Sequence, residues 1–385
     1  MSSIWTHYIQ DATQLRRALH CAPELTWQEH ATAQTIRTAL QTHDIPWRVC
    51  AETGTVAVLA PSAPGRHIAL RGDIDALPIR EQTGVDWASQ TPGVMHACGH
   101  DGHTATLMAV ARWLKANESI LPGPVSLLFQ PAEEGGHGAR AMIEEGALDG
   151  VDWIFGWHNW PAIPFGQAVC PDGPLMAANA VFEIEITGSG GHASQPELCR
   201  DPVLAAAAIT LNLQQIVARR LPPQSAAVVS VTSIDAPSGI TVIPESARLA
   251  GSVRIGDTQT RALIGRLIED IAESTARSYG VEAKITFTPR YQATVNHPEP
   301  ALHYRGALTS VLGADWCASE LPVPIMASED FSYYLEAIPG AFALIGADDG
   351  AGHHEPCHSP RYDFNDRLID PVGRILASLI GVSPP

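Results

Sequence analysis

Short apolar runs alternate with helix-length amphipathic stretches through the first half of the chain, and this alternation restricts the fold more than any other feature. TVAVLA, HIALRG and VSLLFQ read as strands, and TATLMAVARWLKA, between the last two, has the length and spacing of a helix. Residues 11–43 carry Leu15, Ala18, Leu19, Ala33, Ile36 and Leu40 at helical intervals. Strand and helix in alternation predict an α/β domain, with a mixed, largely parallel sheet flanked by helices. At 385 residues, 45% of them hydrophobic, the chain has material for two domains.

The middle of the chain follows a different rule. AVFEIEIT alternates apolar and acidic residues like a strand wet on one face, and DPVLAAAAITLNLQQIVARR reads as a helix opened by Asp201 and Pro202. AAVVSVTSI and ARLAGSVRI read as strands, TQTRALIGRLIEDIAESTARSYG as a helix stopped at Gly280, and VEAKITFTP as a last strand. The order β-α-β-β-α-β predicts an α+β ferredoxin-like unit over 179–292, inserted between 1–178 and 293–385.

Charge excludes several partners. Lys and Arg total 24 against 41 Asp and Glu, a net charge of −17, and no basic run occurs, so nucleic acid and anionic membrane surfaces are poor partners. The start of the chain has no apolar core followed by a cleavage site, and the longest apolar run, VLAAAAITL, is about half a membrane span. Seven cysteines without CxxC spacing suit a reducing compartment, so a cytoplasmic protein is expected. GSGGHA (188–193) imitates a dinucleotide-binding loop. That reading needs an acidic residue about 20 positions on, and no Asp or Glu lies between Pro202 and Ile234.

The chemistry-bearing residues are spread along the chain. MHACGHDGHT (95–104) holds His96, Cys98, His100 and His103; FQPAEEGGHGAR holds Glu133 and Glu134; GWHNWP holds His158; HHEPCHSPRYDFND holds His358. A lone cysteine, or a lone histidine between tryptophans, ordinarily packs rather than ligates. Together, Cys98, His100, Glu134, His158 and His358 make a donor set for a first-row transition metal, gathered as catalytic sites gather theirs, from well-separated loops. Adjacent glutamates usually mark a solvated helix face, but this pair follows a proline and precedes two glycines at a strand end. One carboxylate can ligate while its neighbour takes the proton of a water whose pKa the metal lowers from about 15.7 toward roughly 7.

GDIDALPI, HACGHDGHTA, FQPAEEGGHGA, GWHNWP, GSGGHASQPE, ASEDFSYYLEAIPGAFALIG and SPRYDFND, in that order, resemble the two-metal aminoacylase and carboxypeptidase family. The resemblance is to its amidohydrolase branch, with hippurate hydrolase and the auxin-conjugate hydrolases. It implies a zinc-exopeptidase-like catalytic domain interrupted by a lid and dimerisation domain. It further implies two divalent ions per subunit (zinc, manganese, cobalt or nickel) held by Cys98, His100, Glu134, His158 and His358, with Glu133 as general base and then acid. His192, in the GGHA motif, would stabilise an oxyanion in the partner subunit, and Arg254 would grip a substrate carboxylate, although an arginine there could equally form a surface ion pair. Asp73 and Asp75 would support the ligands from behind.

Two departures stand out. TVIP replaces the usual NVIP, so Thr241 stands where an asparagine assists carboxylate binding, and CHSP puts Cys357 directly before the candidate ligand His358, with His353 and His354 nearby. The first weakens recognition of the substrate's end, and the second opens a route to misligation or thiol oxidation. The expected activity is metal-dependent hydrolysis of N-acyl amino acids in a homodimer. The alternatives are a dipeptidase or carboxypeptidase on the same scaffold, or a non-catalytic protein that binds metal or acyl conjugates.

Overall fold

The computed structural model describes residues 4–384, and the chain divides into two compact units. The first comprises Met1–Leu175, Val295–Pro322 and Asp330–Pro385; the second comprises Met176–Thr294 and Val323–Glu329. Each has its own apolar core. The return of Val323–Glu329 to the second unit has no counterpart in the sequence pattern.

The first unit is built on a seven-stranded sheet in the order Trp47–Val49, Thr55–Leu59, Val125–Gln130, Ile68–Asp73, Trp153–Pro164, Gly340–Asp348 and Ala168–Val169. The four strands from Val125–Gln130 to Gly340–Asp348 pair in parallel, and the flanking pairings are antiparallel. Val125–Gln130 and Ile68–Asp73 are buried at every position, as central parallel strands covered on both faces must be. The helix His100–Ala116 packs on the sheet with most of its side chains buried. The apolar spacing over 11–43 resolves into two helices, Ile4–Cys21 and His30–Thr42. Pro23 cannot continue the first, and the Glu24 carboxylate accepts from the backbone N–H groups of Ala31 (3.1 Å) and Thr32 (2.7 Å), tying the start of the second.

The second unit carries an antiparallel sheet ordered Ala227–Asp235, Ser246–Ile255, Ala178–Thr187, Glu282–Pro289, the ferredoxin-like arrangement. Ala178–Thr187 alternates buried and exposed positions, as its apolar–acidic pattern predicts. Asp201 caps the helix Pro202–Leu213 by accepting from Val203 N (2.8 Å). The sequence predicts one helix running on to Arg220, but the structure replaces its end with a π-helical turn, Ile216–Arg220. The wider turn leaves both Leu213 and Ile216 fully buried. No described helix is long and apolar enough to cross a membrane.

Candidate metal centre

Parallel strands deliver side chains to their carboxyl ends, where open α/β sheets hold their sites. Asp73 ends the strand Ile68–Asp73 with Asp75 just beyond, and Glu133 and Glu134 follow the strand Val125–Gln130. His158 sits within Trp153–Pro164, and His100 opens its helix with Cys98 two residues before. Gly99, between them, has φ 91°, and a β-carbon there would collide with Asn159 Oδ1 and Tyr362 Oη. Glycine alone makes this tight entry without strain.

These residues converge in the first unit. The donor atoms of Cys98, His100 and His158 lie within 4.8 Å of one another, as do those of Cys98, Glu134 and His358, and those of His100, Glu133 and Glu134. Cys98 Sγ is 3.3 Å from His158 Nε2, and His358 Nε2 is 3.1 Å from Glu134 Oε1. His358 adopts φ 68°, a left-handed conformation that a non-glycine residue takes up at a cost of about 1–3 kcal/mol.

The surroundings set the ring tautomers. His158 Nδ1 donates to the carbonyl of Asn159 (2.6 Å), leaving Nε2 with its lone pair toward Cys98. His100 Nδ1 faces the Asp75 carbonyl (2.9 Å) and carboxylate (3.2 Å), while Nε2 is buried without a hydrogen bond, as is Glu134 Oε1. Burial pushes the His100 pKa down, but Asp73, Asp75 and Glu134 outweigh it and raise it to about 10. His158, under burial and the nearby His103, is held well below the ordinary value. The Cys98 thiol is pushed well up by its hydrogen bond with Cys357, by burial and by the Glu134 and Glu133 charges. A thiolate there needs a cation beside it. Ring nitrogens, a carboxylate and a thiol brought together with few hydrogen-bond partners of their own fit a divalent metal, with Cys98, His100, Glu134, His158 and His358 as the residues able to hold it.

Behind the donors lies a buried polar frame. Asp75 Oδ2 accepts from Glu134 N (2.9 Å) and Thr26 Oγ1 (3.0 Å), and so links the helix His100–Ala116 to the glutamate loop. Asp73 lies 2.5 Å from His103 Nδ1 and 3.6 Å from His100 Nε2. His103 Nε2 is 2.7 Å from Asn159 Oδ1, and Asn159 Nδ2 donates to Tyr362 Oη at 2.7 Å. Asp330 accepts from Arg71 (3.2 Å), from Gln130 (2.8 Å) and from Ala139 N (2.9 Å), and its own N–H reaches Glu133 Oε1 at 3.4 Å. Asn159, Tyr362, Arg71, Gln130 and Asp330 escaped the sequence reading. The WHN, YDFND and ASEDF motifs contain three of them, but nothing in the linear pattern says which partners they meet. His96 is buried with neither ring nitrogen bonded, and burial lowers its pKa to about 4. His353 is tied to Asp349 (2.9 Å) rather than to the donor set.

His192, Thr241 and Arg254 lie in the second unit. His192 pairs with Val242, and Ala193 N donates to the Thr241 carbonyl at 2.9 Å, so His192 and Thr241 are neighbours, both exposed. Ser194 N–H donates to His192 Nδ1 (3.1 Å), so in the neutral ring the proton is on Nε2. Arg254 donates to the carbonyl of Val253 (3.2 Å), and none of the ion pairs among the described residues includes it. Burial, and then the nearby Arg290, lower its pKa.

The fold and the donor set define a metal-dependent hydrolase. The profile of peptidase family M20/M25/M40 matches residues 69–381, and the chain belongs to that family. It is 40% identical to an N-acetyl-L-cysteine deacetylase of Bacillus subtilis over 92% of its own length and 84% of that protein's. Identity to the IAA-amino acid hydrolase ILR1-like 2 of Arabidopsis thaliana is 39%, over 95% of this chain and 83% of the relative. Among solved structures, the Bacillus subtilis YXEP protein, described as a dinuclear metal binding peptidase from the M20 family, superposes with a TM-score of 0.83 at 34% identity, covering 97% of this chain and 98% of that one.

Proposed function

We propose that this hydrolase cleaves the amide bond of N-acyl amino acids to a carboxylic acid and a free amino acid, using two divalent ions per subunit. The observation that carries the reading is the contrast within the glutamate pair. Glu134 meets His358 at 3.1 Å and shares one donor group with Cys98 and His358, while Glu133, 6% exposed, shares none with either and receives the Asp330 N–H. The bound metal supplies Lewis acidity at the acyl carbonyl. Glu133 takes a proton from the attacking water and passes it to the leaving amine. His192, with its proton on Nε2, donates to the oxygen that gains charge, and Arg254 presents a planar fork to the free carboxylate of the substrate. Thr241 contributes a single hydroxyl hydrogen where asparagine offers an amide NH2.

The reading includes a homodimer formed through the second unit, with His192 serving the partner's centre. The helix Pro202–Leu213 leaves Leu204 58% and Leu211 73% exposed, and the strand Ala227–Asp235 lies at the edge of its sheet, where it exposes Ile234. An apolar helix face beside an open sheet edge suits a two-fold partner of the same kind. Seven free cysteines support a reducing, cytoplasmic setting.

The test is a screen of protein reconstituted separately with zinc, manganese, cobalt and nickel. N-acetyl and N-benzoyl amino acids are compared with dipeptides that carry a free amino terminus. Turnover of the acylated series is expected; turnover confined to dipeptides would make the chain a dipeptidase. Within the acylated series, Thr241→Asn is expected to lower KM roughly ten- to a hundred-fold with kcat little changed, the gain of about 1.5–3 kcal/mol from one hydrogen bond to a charged group. Equal kcat/KM for an N-acyl amino acid and its methyl ester would remove the carboxylate from the recognition scheme.

A further inference from the structure

Cys357 lies outside every donor group, yet its loop is tied to the segment that carries Cys98. Three contacts bring the two together. His358 N–H donates to the carbonyl of Ala97 at 2.7 Å, which lays residues 357–358 alongside 97–98. That bond joins the peptide between Cys357 and His358 to the peptide between Ala97 and Cys98, so the α-carbon of each cysteine is attached to one of the two bonded peptides. Neighbouring residues of one strand then touch one sulfur each: His158 Nε2 is 3.3 Å from Cys98 Sγ, and Asn159 Nδ2 donates to Cys357 Sγ at 3.8 Å. Cys98 is buried and Cys357 is partly exposed, so an oxidant from solvent meets Cys357 first.

We propose that Cys98 and Cys357 are a modification site: hydrogen peroxide joins them in a reversible disulfide that removes Cys98 from the metal-holding set. In the first step the Cys357 sulfur attacks one peroxide oxygen, the O–O bond breaks, and Cys357 becomes a sulfenic acid with loss of one water. In the second, the Cys98 sulfur attacks the sulfenic sulfur. The S–S bond forms, the S–O bond breaks, and the departing hydroxyl leaves as a second water with the thiol proton. Two thiols together lose two electrons and two protons, and one peroxide becomes two waters. A low-molecular-weight thiol reverses the reaction by exchange. A disulfide sulfur is no longer a thiolate, so it cannot hold a metal as Cys98 does when reduced. The expulsion of metal rests on the reading of Cys98 as a ligand; the crosslink itself does not.

The test treats the metal-loaded protein and chelator-stripped protein with graded hydrogen peroxide, then counts thiols, maps unreduced peptides and measures bound metal. The stripped protein is expected to lose two of its seven thiols and to yield a peptide pair joining Cys98 to Cys357. The loaded protein should give the same pair with metal released in step, and a thiol reductant should reverse both. Cys357→Ser should retain its metal at doses that strip the parent, and Cys317→Ser, which removes an exposed cysteine, should oxidise as the parent does. Absence of the joined peptide while oxidation collects at Cys317 overturns the proposal. So does loss of metal from Cys357→Ser at the parent's dose. A crosslink that forms while metal stays bound upholds the disulfide and overturns instead the assignment of Cys98 as a ligand.

Discussion

Glu133 and Glu134 are adjacent in the chain, but their carboxylates look onto different neighbours, and that difference is testable. Glu133→Gln keeps the size of the side chain and removes its basicity, so the variant is expected to keep the parent's metal content while kcat falls about 10²–10⁴-fold. Glu134→Ala should instead lose metal, measured by elemental analysis; equal losses in the two variants would reverse the assignments. A second buried cluster governs stability. His20, Arg16 and Asp101 are buried together, with His20 Nδ1 2.8 Å and Arg16 Nε 3.0 Å from Asp101 Oδ2. Burial pushes the His20 pKa down, but Asp101 and Glu81 outweigh it, and the value rises from 6.5 to about 9. A pKa raised on folding adds stability that is fully present below the unfolded value and disappears as pH climbs through the folded one. Stability should therefore decline between pH 6.5 and about 9, by roughly 3 kcal/mol from this group. Denaturant titrations across that range should show the decline in the parent, and a much flatter profile in His20→Gln. A profile equally steep in both would place the titration elsewhere.

The elements of the fold follow local rules wherever the side chains decide. Alternation in AVFEIEIT specifies a half-buried strand, and Asp201–Pro202 specifies a helix start. Where the decision depends on distant chain, the pattern is silent. Nothing in FALIG says that Gly340–Asp348 pairs in parallel with Trp153–Pro164, or that Ala168–Val169 then pairs on its other side. The candidate ligands were legible because each lies in a short motif of unusual composition. The frame behind them was not, since the Arg71–Asp330 contact spans 259 positions and each partner alone looks like an ordinary charged residue. The turn at Gly99 is the point where local conformation bears most directly on the donors. Gly99→Ala would place a β-carbon against Asn159 and Tyr362 at a positive φ, so both the clash and the backbone penalty act on Cys98 and His100. Destabilisation of at least about 1–3 kcal/mol is expected, with weaker metal retention on dialysis against a chelator. A variant as stable and as well metallated as the parent would show that the helix entry tolerates displacement.

At the scale of the whole molecule, the homodimer reading makes a prediction that no single chain can satisfy. Glu133→Gln and His192→Ala should each be inactive alone. Mixed, they should regain activity, because one centre of each heterodimer pairs an intact Glu133 with an intact His192 from the other chain. Failure to recover activity, with subunit exchange demonstrated by tagged copies, would rule out action in trans. The division of the chain has a further consequence, for the order of biosynthesis. The core residues of the second unit fall between Ala178 and Ala293, whereas the sheet of the first unit waits for Gly340–Asp348, and His358 follows later still. During synthesis, domains generally fold as units in the order in which they emerge. Here the unit begun first is finished last. The ribosome therefore releases a stretch carrying Cys98, His100, Glu134 and His158 well before the strand that completes their sheet, and the nascent chain must carry an open sheet edge until Gly340–Asp348 appears.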